Sequence, residues 1–195
     1  MIFTRSVPPR RYRDYMRYRV LLRKDFQYRC AYCLVHERYL GGEAGCTIDH
    51  HRPQGGRYAR PDLKSKYTNL YWTCRECNDN KADTWPSPEE EALGIRFVDP
   101  CVPEDDHDLH WLTNPDGSLE AITLTGKYTI ERLMLWRDQL KYHRARIYRW
   151  QQQRDELVAL LARKQMSSEM RARFESQLFE LNDYLEPPVF NRPRK

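Results

Sequence analysis

The sequence has no long apolar run, and no stretch approaches the roughly 18 apolar residues that a membrane-spanning helix needs. The first residues, MIFTRSVPPRRYRDYMR, lack the apolar core of a secretory signal. We therefore expect a cytoplasmic protein in which thiols stay reduced. Internal repeats and low-complexity segments are also missing, which excludes repeat architectures. With 31% charged and 40% apolar residues in 195, the chain has the composition of a globular protein.

Charge is unevenly distributed along the chain, whose formal net charge is only +5. Residues 1–29 carry nine basic side chains against Asp14 and Asp25, whereas residues 86–120 carry ten carboxylates against Arg96. Such a separation produces a field that can orient a polyanion such as nucleic acid. Charge alone is equally consistent with a solubilising surface.

The apolar pattern predicts an α+β protein. Large side chains at helical spacing favour a basic helix from Tyr12 to Phe26. Two β-rich runs, 47–51 and 67–73, flank a loop rich in glycine and proline, and a short helix should follow over 74–82. The stretch 86–126 is acidic and poorly periodic, so we predict an ordered connector without regular elements.

The C-terminal part predicts a helical hairpin. Thr129 is the predicted N-cap of a long helix that reaches about Lys164, and a second helix should end before Pro187 and Pro188. A helix of about 35 residues is about 50 Å long, more than a small core can cover. We therefore predict that the hairpin assembles with a second copy or a partner protein. Burial of its apolar stripe by residues 1–29 and 86–126 is the alternative.

The expected organisation has four parts. They are a basic arm and helix (1–27), a core with a metal site (28–85), an acidic connector (86–126) and a helical region (127–195).

Four of the six cysteines form two close pairs, Cys30-x-x-Cys33 and Cys74-x-x-Cys77. Four thiolates suit tetrahedral Zn²⁺, which closes its structural sites with four protein ligands. A redox dithiol is less consistent with two matched pairs. The sequence therefore predicts one structural zinc ion.

A second set of polar residues lies between and just after these pairs. It comprises Asp49, His50, Pro53, Asn69, Asn78 and Lys81. With the cysteines, this set resembles the HNH endonuclease family, whose pattern is D-H-x-x-P, then N, then C-x-x-C-[HN]-x-x-K. The resemblance covers about residues 28–83 and implies a zinc-stabilised ββα-metal core.

The residue types suit hydrolysis of a DNA phosphodiester. Asp49 and Asn78 offer oxygen ligands to a catalytic divalent ion such as Mg²⁺, Mn²⁺ or Ni²⁺. His50 can act as the general base towards water, and Asn69 can orient its ring. The resemblance implies the same four roles.

The adjacent His51 leaves an ambiguity of register. Relatives with two neighbouring histidines use the first as a metal ligand and the second as the base. In both patterns the base precedes the proline by three residues, so Pro53 selects His50. We then interpret His51 as a filler on the other face of the strand, and a third ligand or phosphate contact as the alternative.

Basic side chains supply candidate contacts to nucleic acid. They are Arg13, Arg17, Lys24, Arg52, Arg57, Arg75 and Lys81. Two alternatives remain open: a non-catalytic zinc module that binds DNA or docks a partner, and an HNH nuclease that cuts RNA.

Beyond residue 83 the chain has a looser resemblance to the HNH nucleases of retron and Septu-type anti-phage systems. It is carried by Asn80-Lys81-x-Asp83, Asp99-Pro100 and the run Gly126, Thr129, Ile130 and Leu133. It implies a role in anti-phage defence and a partner protein such as an ATPase.

Overall fold

A computed structural model describes residues 3–8, 10–162 and 166–185. The fold is α+β, as predicted, and contains two separate two-stranded antiparallel sheets among its described residues. The helices are α1 (Arg19–Asp25), α2 (Arg75–Lys81), α3 (Pro88–Ala92), α4 (Leu124–Arg132), α5 (Asp138–Leu161) and α6 (Ser168–Leu185). The strands are β1 (Cys46–His50), β2 (Leu70–Cys74), β3 (Trp111–Thr113) and β4 (Leu119–Ala121).

Strands β1 and β2 form a hairpin that continues directly into α2. Asp49 pairs with Tyr71 and His50 with Leu70 across the two strands. Cys74 ends β2 and caps α2, because its Sγ accepts a hydrogen bond from Cys77 N at 3.4 Å. The helix is therefore fixed to the strand end by residues of the predicted metal site.

The loop that joins β1 to β2 passes close to the end of α2. Gly56 has φ +81°, and a Cβ at this position would lie 2.8 Å from Asp83 O. Only glycine combines this backbone angle with so close an approach.

The N-terminal helix is shorter than predicted. Asp14 accepts a hydrogen bond from Met16 N and starts a 3₁₀ turn, Tyr15–Tyr18, before α1 begins. Tyr18, Leu22 and Phe26 are buried, as their spacing indicated. The helical face was predicted well, but the cap set a later start than the apolar pattern suggested.

The segment 86–126 is more regular than predicted. It contains α3, the β3–β4 hairpin and the start of α4. Phe97, Val98 and Trp111 belong to the main hydrophobic core. Elements of three to five residues are too short to show a periodic pattern, so the sequence signal for them was weak.

The single long helix predicted from Thr129 is wrong. Thr123 caps α4 instead, accepting a hydrogen bond from Gly126 N. Thr129 lies buried inside α4, where its hydroxyl accepts from Val98 N at 3.0 Å. The chain then breaks at Met134, whose φ is 51°, before α5 starts at Asp138.

Helices α5 and α6 form the predicted antiparallel hairpin. Trp150 stacks on Tyr184 with ring centroids 4.8 Å apart, and Arg171 donates to Leu161 O at the opposite end. Tyr39 donates to Tyr184 O, which ties the base of the hairpin to the core. The C-terminal ends predicted for the two helices, at Lys164 and before Pro187 and Pro188, lie outside the described residues.

Most of the hairpin surface is exposed. Leu140 and Leu185 are the buried residues of α5 and α6 within the described chain. Trp136, which the predicted single helix would have contained, is 56% exposed in the segment before α5. Among the described helices, none is long and apolar enough to cross a membrane.

Candidate functional site

The four paired cysteines come together in the interior. Their Sγ atoms all lie within 4.8 Å of one another, and all four residues are buried. Cys33 Sγ and Cys74 Sγ are 3.9 Å apart, close to the roughly 3.8 Å between sulfurs of a tetrahedral site with Zn–S bonds of about 2.3 Å. The cluster can therefore hold a metal ion such as zinc.

The charge of the cluster depends on whether a cation is bound. Burial raises the pKa of Cys30, whereas hydrogen bonds from the other three thiols lower the pKa of Cys74. Four buried thiolates cannot exist side by side without a compensating charge. A soft divalent metal ion supplies that charge and selects sulfur ligands.

Two cysteines stay outside the cluster. Cys46 pairs with Cys74 across the strands, and burial raises its pKa to about 12. Cys101 is half-buried. Neither belongs to the group of four sulfurs that can hold a metal ion.

His50 ends strand β1 and is only 7% exposed. Its Nε2 lies 2.9 Å from Lys64 O, and the ring meets the ring of Tyr15 edge-on at 4.7 Å. A carbonyl oxygen can only accept, so Nε2 carries the proton and Nδ1 is left as the basic nitrogen. Burial lowers the pKa of His50, which favours the neutral ring.

Asp49 lies in a buried polar cluster. Lys81 Nζ donates to its Oδ1 at 3.1 Å, and Tyr32 donates to its Oδ2 at 2.7 Å. Lys81 Nζ also donates to His50 O at 2.8 Å. The lysine thus joins α2 to the end of β1.

Lys81 was expected to contact phosphate, but its side chain is 0% exposed. The burial argues against that role. Its ammonium group compensates Asp49 instead.

Asn69 closes the neck of the loop after β1. Its Oδ1 accepts from Arg52 N at 2.9 Å, and its Nδ2 donates to Arg52 O at 3.0 Å. His51 N donates to Asn69 O. Asn69 was predicted to contact the His50 ring, but Lys64 O makes that contact. Asn69 instead holds together the two ends of the loop that carries Lys64.

Asn78 lies on α2, one turn before Lys81, and is half-buried. Its side-chain amide has no hydrogen-bond partner in the described part of the chain. Because residues three apart share a helix face, Asn78 lies on the side of α2 that faces β1. Its amide oxygen is therefore available to a ligand.

His51 occupies the strand face opposite to His50. Its ring stacks on Tyr71 at 4.6 Å and meets Trp85 edge-on at 5.1 Å. Tyr32 Oη lies 3.4 Å from its Nδ1, so His51 and Asp49 share one tyrosine. Burial lowers the pKa of His51 to about 4.

The predicted basic contacts fall into two groups. Arg13, Arg17 and Arg57 are exposed. Ser65 donates to Arg13 O, which places the basic arm against the loop that covers His50. These exposed guanidinium groups and the neighbouring lysines of the loop can meet a polyanion.

The remaining basic residues have other surroundings. Arg52 pairs with Glu91 at 2.7 Å and stacks on Trp85. Arg75 is exposed on α2 and donates to Ala44 O, and Lys24 is exposed on α1. None of these contacts places Arg52, Arg75 or Lys24 beside His50.

Sequence reasoning missed three residues of the site. Tyr32 lies between Cys30 and Cys33, and this position indicated that it is close to the predicted metal site. Its contact with Asp49, however, depends on the fold. Tyr15 showed only helical spacing. The role of Lys64 belongs to its main chain and leaves no signal in the side-chain pattern.

Comparison of the chain with protein-family models, with curated proteins and with solved structures found no match.

Proposed function

We propose that the protein is a metal-dependent HNH-type endonuclease that hydrolyses DNA. The observation that carries the proposal is the state of His50. The ring is held by Lys64 O through Nε2 and keeps Nδ1 as a basic nitrogen, at the strand end beside Asp49. A general base must be neutral and held in position to take a proton from the attacking water, and the His50 ring meets both conditions.

The hard oxygen donors of Asp49 and Asn78 suit a divalent cation such as Mg²⁺. When bound, such an ion neutralises the charge that develops on a phosphodiester during hydrolysis. Both carboxylate oxygens of Asp49 already have partners, Lys81 and Tyr32. Asp49 would hold a cation through the lone pairs that these two donors leave open, and the positive charge of Lys81 would compete with the cation.

The cysteine cluster supports the site mechanically. It fixes the start of α2 to the end of β2, and the Lys81 contact then fixes the end of α2 to β1. Catalytic groups must be held within about half an ångström. A bound zinc would supply that rigidity in a unit with only two short strands.

The exposed arginines supply the nucleic-acid side of the proposal. Arg13 and Arg17 flank Tyr15, whose ring covers His50. A phosphate backbone held by these groups would lie near the proposed base.

One observation favours a second function, a non-catalytic zinc module that binds DNA or docks a partner. Asp49 and Lys81 form a buried ion pair, and His50 is 7% exposed. Such a cluster can serve stability alone. In that case the motif residues would hold the fold together without hydrolysis.

A plasmid assay separates the two functions. Purified protein is incubated with supercoiled DNA and Mg²⁺, Mn²⁺, Ni²⁺ or EDTA, beside His50→Ala and His51→Phe. We expect metal-dependent cleavage that falls by about 10²–10⁴-fold in His50→Ala. His51→Phe keeps the ring that stacks on Tyr71 and should stay active.

Three outcomes would contradict the proposal in different ways. Binding of DNA without cleavage under any metal supports the zinc module. An active His50→Ala with an inactive His51→Phe means that the register is wrong. Cleavage of an RNA substrate in preference to DNA supports the RNA-cutting alternative.

A further inference from the structure

Arg137 reaches the cysteine cluster from outside the segment 28–85. It lies between α4 and α5, yet its Nη2 donates to Cys77 Sγ at 3.5 Å. The residue is only 6% exposed. We propose that Arg137 compensates the charge of the metal-bound cluster and thereby couples metal binding to the position of the C-terminal helices.

The same guanidinium group holds the break between the two helices. Nη1 donates to Leu133 O at 2.7 Å and to Met134 O at 3.1 Å. These carbonyls follow α4, where the helix leaves its last acceptors unpaired. One side chain therefore joins the sulfur of Cys77 to the turn that sets the direction of α5.

Charge balance explains why an arginine belongs there. Four thiolates and one Zn²⁺ carry a net charge of −2, which a buried site must compensate. Sulfur is a weak acceptor as a thiol, whereas a thiolate accepts a charge-assisted hydrogen bond. The contact from Arg137 is thus strongest when the cluster is metallated.

Other groups around Arg137 do not replace this role. Glu76 Oε1 lies 2.8 Å from Arg137 Nε, but its side chain is 49% exposed. Water screens so exposed a carboxylate. The buried sulfur cluster is the stronger counter-charge.

A second arginine, Arg144 of α5, lies near Cys33. Arg144 donates to Gly117 O and Leu135 O, and it lines a cavity of about 520 Å³ together with Cys33. Burial lowers the pKa of Arg144 to about 10, and the charge of Cys33 opposes that effect. Arg144 is half-buried and adds positive charge near the cluster, whereas Arg137 is buried and contacts a sulfur directly.

The inference rests on the zinc part of the proposed function and is independent of catalysis. It requires that zinc binding and the seating of α5 stabilise each other, because one residue takes part in both. Loss of an outer partner of a metal ligand lowers metal affinity by about 10–100-fold. Removal of zinc should in turn loosen the packing of α5 and α6.

The test uses the zinc-loaded full chain and the variants Arg137→Met and Arg137→Lys. The controls are Arg149→Met and Arg149→Lys, at an exposed arginine further along α5. Zinc retention is measured by chelator competition, and protease cleavage within α5 and α6 is followed with and without chelator. With Co²⁺ in place of zinc, the thiolate-to-metal charge-transfer absorption reports on the hydrogen bond to sulfur.

We expect Arg137→Met to release zinc at chelator concentrations about 10–100-fold lower, with faster cleavage of the hairpin and a shifted Co²⁺ spectrum. Arg137→Lys, which keeps the charge but loses the fork, should fall between wild type and Arg137→Met. The Arg137→Lys variant is compared with Arg149→Lys. If Arg137→Met does not fold, this comparison alone tests the inference. The Arg149 variants should match wild type.

The two proposals fail differently. Wild-type protein that binds neither zinc nor Co²⁺ overturns the zinc site and this inference with it. Zinc retention, cleavage and spectrum unchanged in both Arg137 variants overturn the inference alone and leave the zinc site intact.

Discussion

Lys81 Nζ lies 3.1 Å from Asp49 Oδ1, and the two side chains are 0% and 5% exposed. A buried pair of this kind gains little over an apolar pair, but removal of one partner leaves an unpaired charge in the interior. The remaining bonds, from Tyr32 to Asp49 and from Lys81 to His50 O, complete the hydrogen bonding of the cluster. The pair is consequently a sensitive point for stability.

We predict that Lys81→Met destabilises the protein by about 3–5 kcal/mol, because Asp49 loses its counter-charge. The double variant Asp49→Asn with Lys81→Met should recover part of that loss, since no charge then remains unpaired. Chemical denaturation of the zinc-loaded protein gives both values. Lys66→Met, at an exposed lysine, is the control, and equal stability of Lys81→Met and Lys66→Met would contradict the prediction.

Zinc should be required for the fold of the core. Elemental analysis is expected to give one tightly held zinc per chain, and Cys74→Ser should lose the metal together with cooperative unfolding. Cys101→Ser, at a thiol outside the cluster, should retain both. A Cys74→Ser protein that unfolds cooperatively without metal would show that the cysteines do not fasten α2.

The exposed arginines near His50 should dominate the salt dependence of DNA binding. The affinity should fall with a log–log slope of about −0.9 per phosphate neutralised. Arg13→Ala with Arg17→Ala should flatten the slope by up to about 1.8, and addition of Lys24→Ala shows whether α1 takes part. Arg149→Ala with Arg154→Ala is the matched pair on α5, and flattening by that pair alone would place DNA on the hairpin.

His36 should make the protein sensitive to acid. Burial, with help from Arg29 and Arg38, lowers the pKa of His36 from its usual 6.5 to about 4. The unfolded chain then binds a proton more readily than the folded chain, so stability is lost as the pH falls from about 6.5 towards 4.

His36→Asn tests this effect because asparagine can still accept the hydrogen bond from Arg38 N. The variant should lose less stability than wild type over that pH range. Melting temperatures with saturating zinc give the comparison. Parallel curves for the two proteins would exclude a contribution from His36.

The sequence predicted most of the arrangement around the cysteines because spacing and motif act locally there. Each CxxC pair, each of the strands β1 and β2, and α2 is specified by residues close in sequence, and the motif relates these pieces to one another. The break after α4 could not be predicted in this way. Leu133 and Leu135 are both 0% exposed, although residues two apart point to different sides of a helix. Burial of both requires the turn at Met134, and only tertiary packing decides that.

In the candidate site, too, the sequence predicted the motif residues but not their partners in the fold. The motif brought Asp49, His50, Asn69 and Asn78 to attention, but the partners of these residues come from elsewhere in the fold. Arg137 lies 60 residues from the Cys77 sulfur that it contacts, and its surroundings in sequence suggest only an exposed helix. A role of this kind becomes visible only in three dimensions.

The contact between His50 and Lys64 O has a consequence for how the chain can vary. The acceptor is a main-chain oxygen, so a substitution at position 64 does not remove it. Selection on this contact would act on the length and path of the loop instead. Gly56, which no other residue replaces without strain against Asp83, is then a more restricted position than Lys64. Substitutions of the Lys64 side chain should accordingly be tolerated, whereas insertions or deletions between Gly56 and Lys64 should abolish function.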